Sequence, residues 1–578
     1  MTHSINRRQF MEFAAAGCGA VLLENFVRSE AWGATQEVQV CPKSRPPARV
    51  IDAVRLSELT TDGWDLRLTL SCLQGIVNRS QPRLYLIHDE YDEMWLNWMK
   101  QRGDIDRIRW LEVRGVFDTY LPEVHEAYVI DPAVPATINV ATMLAGLNGG
   151  LVTTPKLAYI YDLPHGYPLD SWSKGLDFRY LNWKKDIEAY RWFFKQHQQD
   201  LSRQAVAILD PREVAIRDYL VEFKIPVIWV AGPTDVATHP SASPDEELEF
   251  ARKLLMEWPP NIPCLGWPNS GEDDATHGGL GEPWGVRLVN ECAKFQQCSA
   301  YDGFAPTVGN LSVHSGTTAT LRQATPPAVK LDKSKVYHSF VRTDGDGWNF
   351  QRQYYRKLFD DPAHGRVPIG WQIGPTGADT MPDVLDYYYK HAAPGDCFVN
   401  ALSGVGYIQE DVYAANYPPE QQEQIFKDFV NLSSLYRKKI DASVMATHTE
   451  MDSSKMATFA QIEGIHGIFA NYGRRLGTTE DNLITVARGI PVFRAMNDWP
   501  PVGLPITKYS RDTAIWYEIN DIKRWTPVRR PMFLHVCLGN WVTDLGIAEE
   551  IAARLGPEFV AVRPDQLVSL YQQFAQSK

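Results

Sequence analysis

From about residue 335 to the end, short apolar runs recur at the spacing of strands separated by helices. They are Val336–Val341, Val367–Ile373, Asp396–Leu402, Ala442–Ala446, His466–Ala470, Pro491–Met496, Met532–Leu538 and Phe559–Val562. Two spacers read plainly as helices: Met381–His391, which stops before Pro394-Gly395, and Gln421–Lys439. Eight such runs in about 240 residues have the size and rhythm of one (β/α)8 unit, so a (β/α)-barrel-like C-terminal domain is predicted.

The first half alternates similarly. Strand-like runs at Arg83–Ile87, Ala127–Ile130, Leu157–Ile160, Ala205–Leu209 and Val227–Val230 interleave with helical patterns. Those patterns lie at Asp65–Asn78, Met94–Arg102, Trp183–Gln198, Glu213–Phe223 and Glu246–Trp258. Alternation of this kind predicts an α/β domain with a parallel sheet covered by helices on both faces. No GxGxxG opens a helix and no P-loop is present, so nucleotide binding has no support. Towards its end this half becomes loop-like and rich in Trp and Gly: Gly266-Trp267-Pro268-Asn269, Gly281-Glu282-Pro283-Trp284-Gly285 and Asn310-Leu311-Ser312-Val313-His314. Such loops either floor a cleft against the next domain or merely connect elements. The expected division is 1–34 as a leader, 35–315 as the N-terminal domain, 316–335 as a polar linker and 336–578 as the barrel-like domain.

Polar and aromatic residues collect where the C-terminal runs end. Asp344-Gly345-Asp346-Gly347 follows the first, Gly374-Pro375-Thr376 the second, and Ser403 through Glu410 the third. His448 to Asp452 follows the fourth, with Glu450 inside it, and Asn471-Tyr472 the fifth. Asn497-Asp498-Trp499, Gly539-Asn540-Trp541 and Arg563-Pro564-Asp565 follow the last three. Any one of these reads as a turn, since Asp and Gly supply positive φ and local hydrogen bonds. Eight together, at the ends that meet on one face of a barrel, predict a cleft.

Composition narrows the ligand. The 578 residues are 44% hydrophobic and 22% charged with a net charge of −12, and no basic cluster stands out, so nucleic acid and anionic membranes are poor partners. Asn6-Arg7-Arg8-Gln9-Phe10-Met11 followed by an apolar run ending at Leu23 matches a twin-arginine export signal, with cleavage expected after Gly33. Lipidation at Cys18 is the lesser alternative, and the run is too short to span a bilayer. Export to the periplasm or medium is therefore expected. Seven cysteines follow residue 34, an odd number without a CxxC pair, so neither a disulfide framework nor a structural zinc site is expected.

On these residues the chain resembles the GxGYxYP putative glycoside hydrolases. The resemblance rests on Leu73-Gln74-Gly75-Ile76-Val77-Asn78-Arg79 with Pro82-Arg83-Leu84-Tyr85, and on Asn310-Leu311-Ser312. Further on it rests on Asp344-Gly345-Asp346, Gly370-Trp371, Gly404-Val405-Gly406-Tyr407 and Arg563-Pro564-Asp565-Gln566. One departure stands out: Gln409-Glu410 occupies the place of the motif's Tyr-Pro. The resemblance implies hydrolysis of a poly- or oligosaccharide, which needs two carboxyl groups across the scissile bond and no cofactor or metal. Asp344, Asp346, Glu410 and Asp498 are the candidate catalytic acids. Trp371, Tyr407, His448, Glu450, Asn471, Trp499, Asn540, Trp541 and Asn310 are candidate sugar contacts, the aromatic ones having core packing as their alternative. Two other readings stay open. His448 with Asp452 and the Asp344–Asp346 pair echoes a metal-dependent carbohydrate deacetylase, and a silent carbohydrate-binding protein would need no acid pair. No GxSxG elbow supports a nucleophilic serine.

Overall fold

The structure, a computed structural model, describes residues 38–56, 63–161, 175–269, 278–299, 308–448, 453–470, 477–497, 511–525, 529–539 and 544–577. The leader, Asp452 and the candidates Glu450, Asn471, Asp498, Trp499, Asn540 and Trp541 lie outside the described residues. The chain divides into Met1–Val40 and a compact unit, Cys41–Lys578. Of the first unit only 38–40 are described, without helix or strand. All that follows concerns the second.

The first half of this unit holds three small parallel sheets rather than one. Strands β1 (Val50–Arg55), β2 (Leu84–Ile87) and β3 (Arg107–Trp110) form the order β2-β1-β3. Strands β4 (Glu126–Val129), β5 (Gly150–Thr153) and β6 (Gly175–Asp177) form β5-β4-β6. Strands β7 (Val206–Ile208), β8 (Val227–Ile228), β9 (Pro263–Gly266) and β10 (Phe295–Cys298) form β10-β9-β7-β8. The expected strand at Leu157–Ile160 is instead inside the helix Pro155–Tyr161. Pro155 opens that helix, Thr154 Oγ1 accepts from Leu157 N at 3.1 Å, and the strand of this region is β5, just upstream.

The residues shared with the family motif in this half are structural. Gln74 Nε2 donates to Leu84 O at 2.9 Å and to Asn310 Oδ1 at 2.7 Å, and Asn78 Nδ2 donates to Leu84 O and Ser312 Oγ at 3.0 and 2.9 Å. Asn310 itself sits at φ 60°, accepts from Leu86 N and donates to Leu86 O and Asp92 Oδ1, each at 2.8 Å. Both of its polar atoms are engaged and the residue is fully buried. Asn310 is a clamp between β2 and the helix Trp64–Asn78, and the expectation of a sugar contact there does not fit its burial and engaged polar atoms.

All eight runs of the second half are strands: β11 (Val336–Arg342), β12 (Ile369–Ile373), β13 (Asp396–Asn400), β14 (Val444–Thr447), β15 (Gly467–Ala470), β17 (Ile490–Arg494), β18 (Met532–Leu538) and β19 (Phe559–Ala561). A further strand, β16 (Ile484–Ala487), pairs antiparallel with β17 through the two-residue turn Arg488-Gly489, both at positive φ. The remaining pairings are parallel and give the order β16-β17-β15-β14-β13-β12-β11-β18. The sheet curls strongly: β18 bonds the full length of β11, and an isolated bridge Ala495↔His535 joins the end of β17 back to β18. The eighth run departs from a regular ring. β19 pairs only with Val336–His338 of β11, on the edge whose upper part bonds β12, so the seventh strand sits directly beside the first.

Alternation along these strands sorts their residues. Tyr337, Val341, Cys397, Val399, Val444, Ala446, Phe469, Phe493 and Phe533 share one core, completed by Leu567, Val568 and Leu570 of the helix Pro564–Gln576. Trp371 points to the opposite face. It is fully buried, donates to Asp396 Oδ1 at 2.8 Å and packs against Tyr355 and Phe359. It serves the helical layer, and the expectation of a sugar contact there does not fit its burial.

Candidate functional site at the mouth of the curled sheet

Two loops meet at the C-terminal ends of the central strands. The first leaves β11 at Thr343, whose N–H bonds Leu538 O at 3.1 Å. Asp344 turns the chain at φ 64°, a region Asp tolerates, and Gly347 N closes the turn on Asp344 O at 3.1 Å. The backbone is then pinned from several sides. Gly374 N and Gln351 Nε2 bond Gly345 O at 2.8 and 2.7 Å. Gln297, at the end of β10, donates to Asp346 O at 2.7 Å and accepts from Thr376 Oγ1, which in turn accepts from Trp348 Nε1. Asp344 and Asp346 thus sit half-buried on a rigid turn, and Thr343 Oγ1 also bonds the Asp344 carboxylate.

The second loop carries the Gly-x-Gly-Tyr motif, and its two glycines have separate physical causes. Gly404 lies at φ 107°, and a Cβ there would come within 2.3 Å of Ser433 Oγ, the atom that accepts Val405 N at 3.0 Å. A Cβ on Gly406 would stand 2.2 Å from the Phe295 ring. That close approach lets Tyr407 pair with Gln296 of β10 through backbone bonds of 2.9 and 3.1 Å. Tyr407 is 4% exposed, its hydroxyl donates to Glu282 Oε1 at 3.1 Å, and its ring centroid is 5.2 Å from that of His448. Burial holds the phenol well above its usual range, and the charges of Glu282, Asp346 and Glu410 add to it.

Glu410 lies three residues further along this loop and is fully buried. Ser403, in the left-handed region at φ 59°, donates Oγ to Glu410 Oε1 at 3.0 Å, and Thr447 Oγ1 donates to the same oxygen at 2.8 Å. The other oxygen, Oε2, is buried without a hydrogen-bond partner. Burial pushes the Glu410 carboxyl up to about 7 against the two hydroxyl bonds, so much of it keeps its proton at neutral pH. A proton-holding acid and the half-buried Asp346, both acting on one phenol, can perform general acid–base chemistry.

The structure therefore brings Asp346, His448 and Glu410 to Tyr407, with Asp344 on the same turn as Asp346, and leaves Trp371 and Asn310 elsewhere. It also adds Glu282, Gln297, Thr376, Ser403 and Thr447. Glu282, Ser403 and Thr376 stood in stretches already marked as loops or strand ends, whereas Gln297 carried no local signal. Among the described residues no group of three or more His, Cys, Asp and Glu is arranged to hold a metal ion. Also among the described residues, no helix is long and apolar enough to cross a membrane, and the seven cysteines are buried and joined by no disulfide.

Three domain descriptions of one family match the chain: "GxGYxYP_N 1st domain" over 55–112, "GxGYxYP third domain" over 203–316, and "GxGYxYP putative glycoside hydrolase C-terminal domain" over 334–572. No curated protein sequence matches significantly. A crystal structure described as a putative hydrolase from Bacteroides thetaiotaomicron VPI-5482 is similar with a TM-score of 0.73 and 18% identity. The match covers 93% of this chain and 98% of that one, which establishes a shared fold.

Proposed function

The chain belongs to the GxGYxYP putative glycoside hydrolase family, and from that premise we propose that the mouth around Tyr407 hydrolyses a poly- or oligosaccharide by carboxylate acid–base catalysis. The observation that carries this reading is Glu410, buried, oriented by two hydroxyls, with one oxygen unpartnered and its carboxyl raised to about 7. Glu410 is the proton donor. Asp346, on the pinned turn across Tyr407, is the charged partner, with Asp344 beside it. Tyr407 and His448 bound the space for a sugar ring. The curled sheet is read as a (β/α)-barrel-like catalytic domain, 336–578, and Glu450, Asn471, Asp498, Trp499, Asn540 and Trp541 stay proposed on the sequence alone as further members of its site. A preceding α/β domain, 35–315, and a linker, 316–335, complete the expected division. Export through the twin-arginine leader would put the enzyme where polysaccharides are met.

The test is hydrolysis of a panel of 4-nitrophenyl glycosides and soluble polysaccharides by the wild type, D346N and E410Q. Each variant should lose about 10²- to 10⁴-fold in turnover while staying folded. Wild-type turnover should also fall as pH rises past about 7, where Glu410 gives up the proton it must donate. Undiminished turnover in D346N, or no glycoside cleaved by the wild type, would overturn the reading.

A further inference from the structure

Tyr407 is held from outside its own sheet. The helix Glu282–Glu291 begins with Glu282, after Gly281 at φ 73° and before Pro283, so the start of the helix sets where that carboxylate lies. From this helix the third family domain grips the motif loop along its length. Gln409 Nε2 bonds Pro283 O at 3.2 Å, Gln409 N bonds Asn290 Oδ1 at 2.7 Å, Ala414 N bonds Asn290 O at 2.8 Å, and Asn416 N bonds Glu291 O at 2.9 Å. Val286 of the same helix shares a core with Tyr407, Trp267 and Cys298.

We propose that Glu282 is a positioning residue of the C-terminal site: it accepts the Tyr407 hydroxyl proton in a hydrogen bond, fixes the phenol beside the Asp346 turn, and makes the third domain one wall of the site. The inference rests on the mouth around Tyr407 being the site. With its proton engaged by Glu282, the phenol oxygen has lone pairs to offer. It therefore accepts from a ligand hydroxyl, the group a sugar presents in abundance. Gln297 extends the same wall to Asp346 through its bond to the Asp346 carbonyl. The third domain thereby touches both loops that carry the candidate acids.

The experiment places 3-fluorotyrosine at position 407 in the full chain and follows its ¹⁹F resonance through an alkaline titration in wild type, E282Q and E282A. The wild-type phenol should stay protonated to higher pH than free fluorotyrosine, and E282Q, which removes the anion but keeps an acceptor oxygen, should ionise at lower pH. E282A should cut kcat/KM on whichever 4-nitrophenyl glycoside the wild type cleaves by about 10- to 100-fold, in the range for groups that orient a reactive residue. E282Q should recover part of that loss. An identical titration at position 407 in wild type and E282Q overturns the proposal, as does wild-type kcat/KM in a folded E282A. Absence of any glycoside turnover bears on the hydrolase reading alone, because the fluorine titration still decides the role of Glu282.

Discussion

Two buried polar clusters join the halves of this protein, and they are built to different rules. One surrounds Arg352, whose guanidinium meets Asp89 at 3.1 Å and bonds Asp92, both from the first half. Close by, His314 Nδ1 lies 2.8 Å from Asp383 Oδ2 and its Nε2 lies 3.1 Å from Tyr85 Oη. Burial works against the Arg352 charge, yet Asp89 and Asp92 outweigh it and hold the guanidinium above its usual range. The other cluster is the mouth, where Asp346, Glu282 and Glu410 act on Tyr407. There a carboxyl oxygen is left without a partner and acid outnumbers base. In the first cluster opposite charges satisfy one another, which is what a stable interface needs. In the second, like groups are held close by surrounding hydrogen bonds, which costs stability and leaves protons available for chemistry.

The contrast can be broken at several points. Arg352→Met removes the guanidinium that bonds buried Asp92 and should destabilise by about 3–5 kcal/mol, measured by urea unfolding against wild type. Next comes Glu410 and pH. Its carboxyl holds a proton to about 7 in the fold but only to about 4.5 when unfolded, so between those values the folded state binds the extra proton. That preference is fully present below about pH 4.5 and is lost as pH rises past 7, up to about 3 kcal/mol in all. E410Q carries no such proton, so its melting temperature should exceed the wild type's at pH 8 and converge with it at pH 4. Asn310→Ala removes a clamp of the first half and should cost about 1–3 kcal/mol with turnover unchanged, separating support from site. Smallest of all should be the effect of D346N on melting: within about 0.5 kcal/mol, since only the half-exposed side chain changes and the pinned backbone remains. A large loss of stability in D346N would move the Asp344–Asp346 turn into the class of the Arg352 cluster.

The Glu282–Tyr407 bond crosses between family domains as the Arg352 pairs do, yet it ends on a residue of the mouth. Its failure to influence the phenol would leave the third domain as packing only.

Local patterning determined a great deal. The eight C-terminal strands follow from apolar runs, because a strand buried on both faces must be apolar throughout, and most of the helices follow from their period and stops. The opening turn, Asp344-Gly345-Asp346-Gly347, was legible as a strand end with acids on it. Other features depended on residues far apart in the chain. Leu157–Ile160 reads as a strand until Thr154 and Pro155 are allowed to start a helix, and β19 reads as an eighth stave until its pairing shows that it shares an edge with β12. Trp371 and Asn310 look like ligand contacts by type, and only burial and saturated hydrogen bonds reveal them as packing and clamp. Glu282, Gln297 and Thr376 reach the mouth from different elements, so no spacing along the chain could show that they meet there. The sequence by itself determined which segments fold and where their polar ends fall, since periodicity and caps act over a few residues. Only the tertiary structure decided which of those ends share a field. Charges, buried carboxyls and hydrogen bonds act across a few ångströms of space, whatever their separation in sequence.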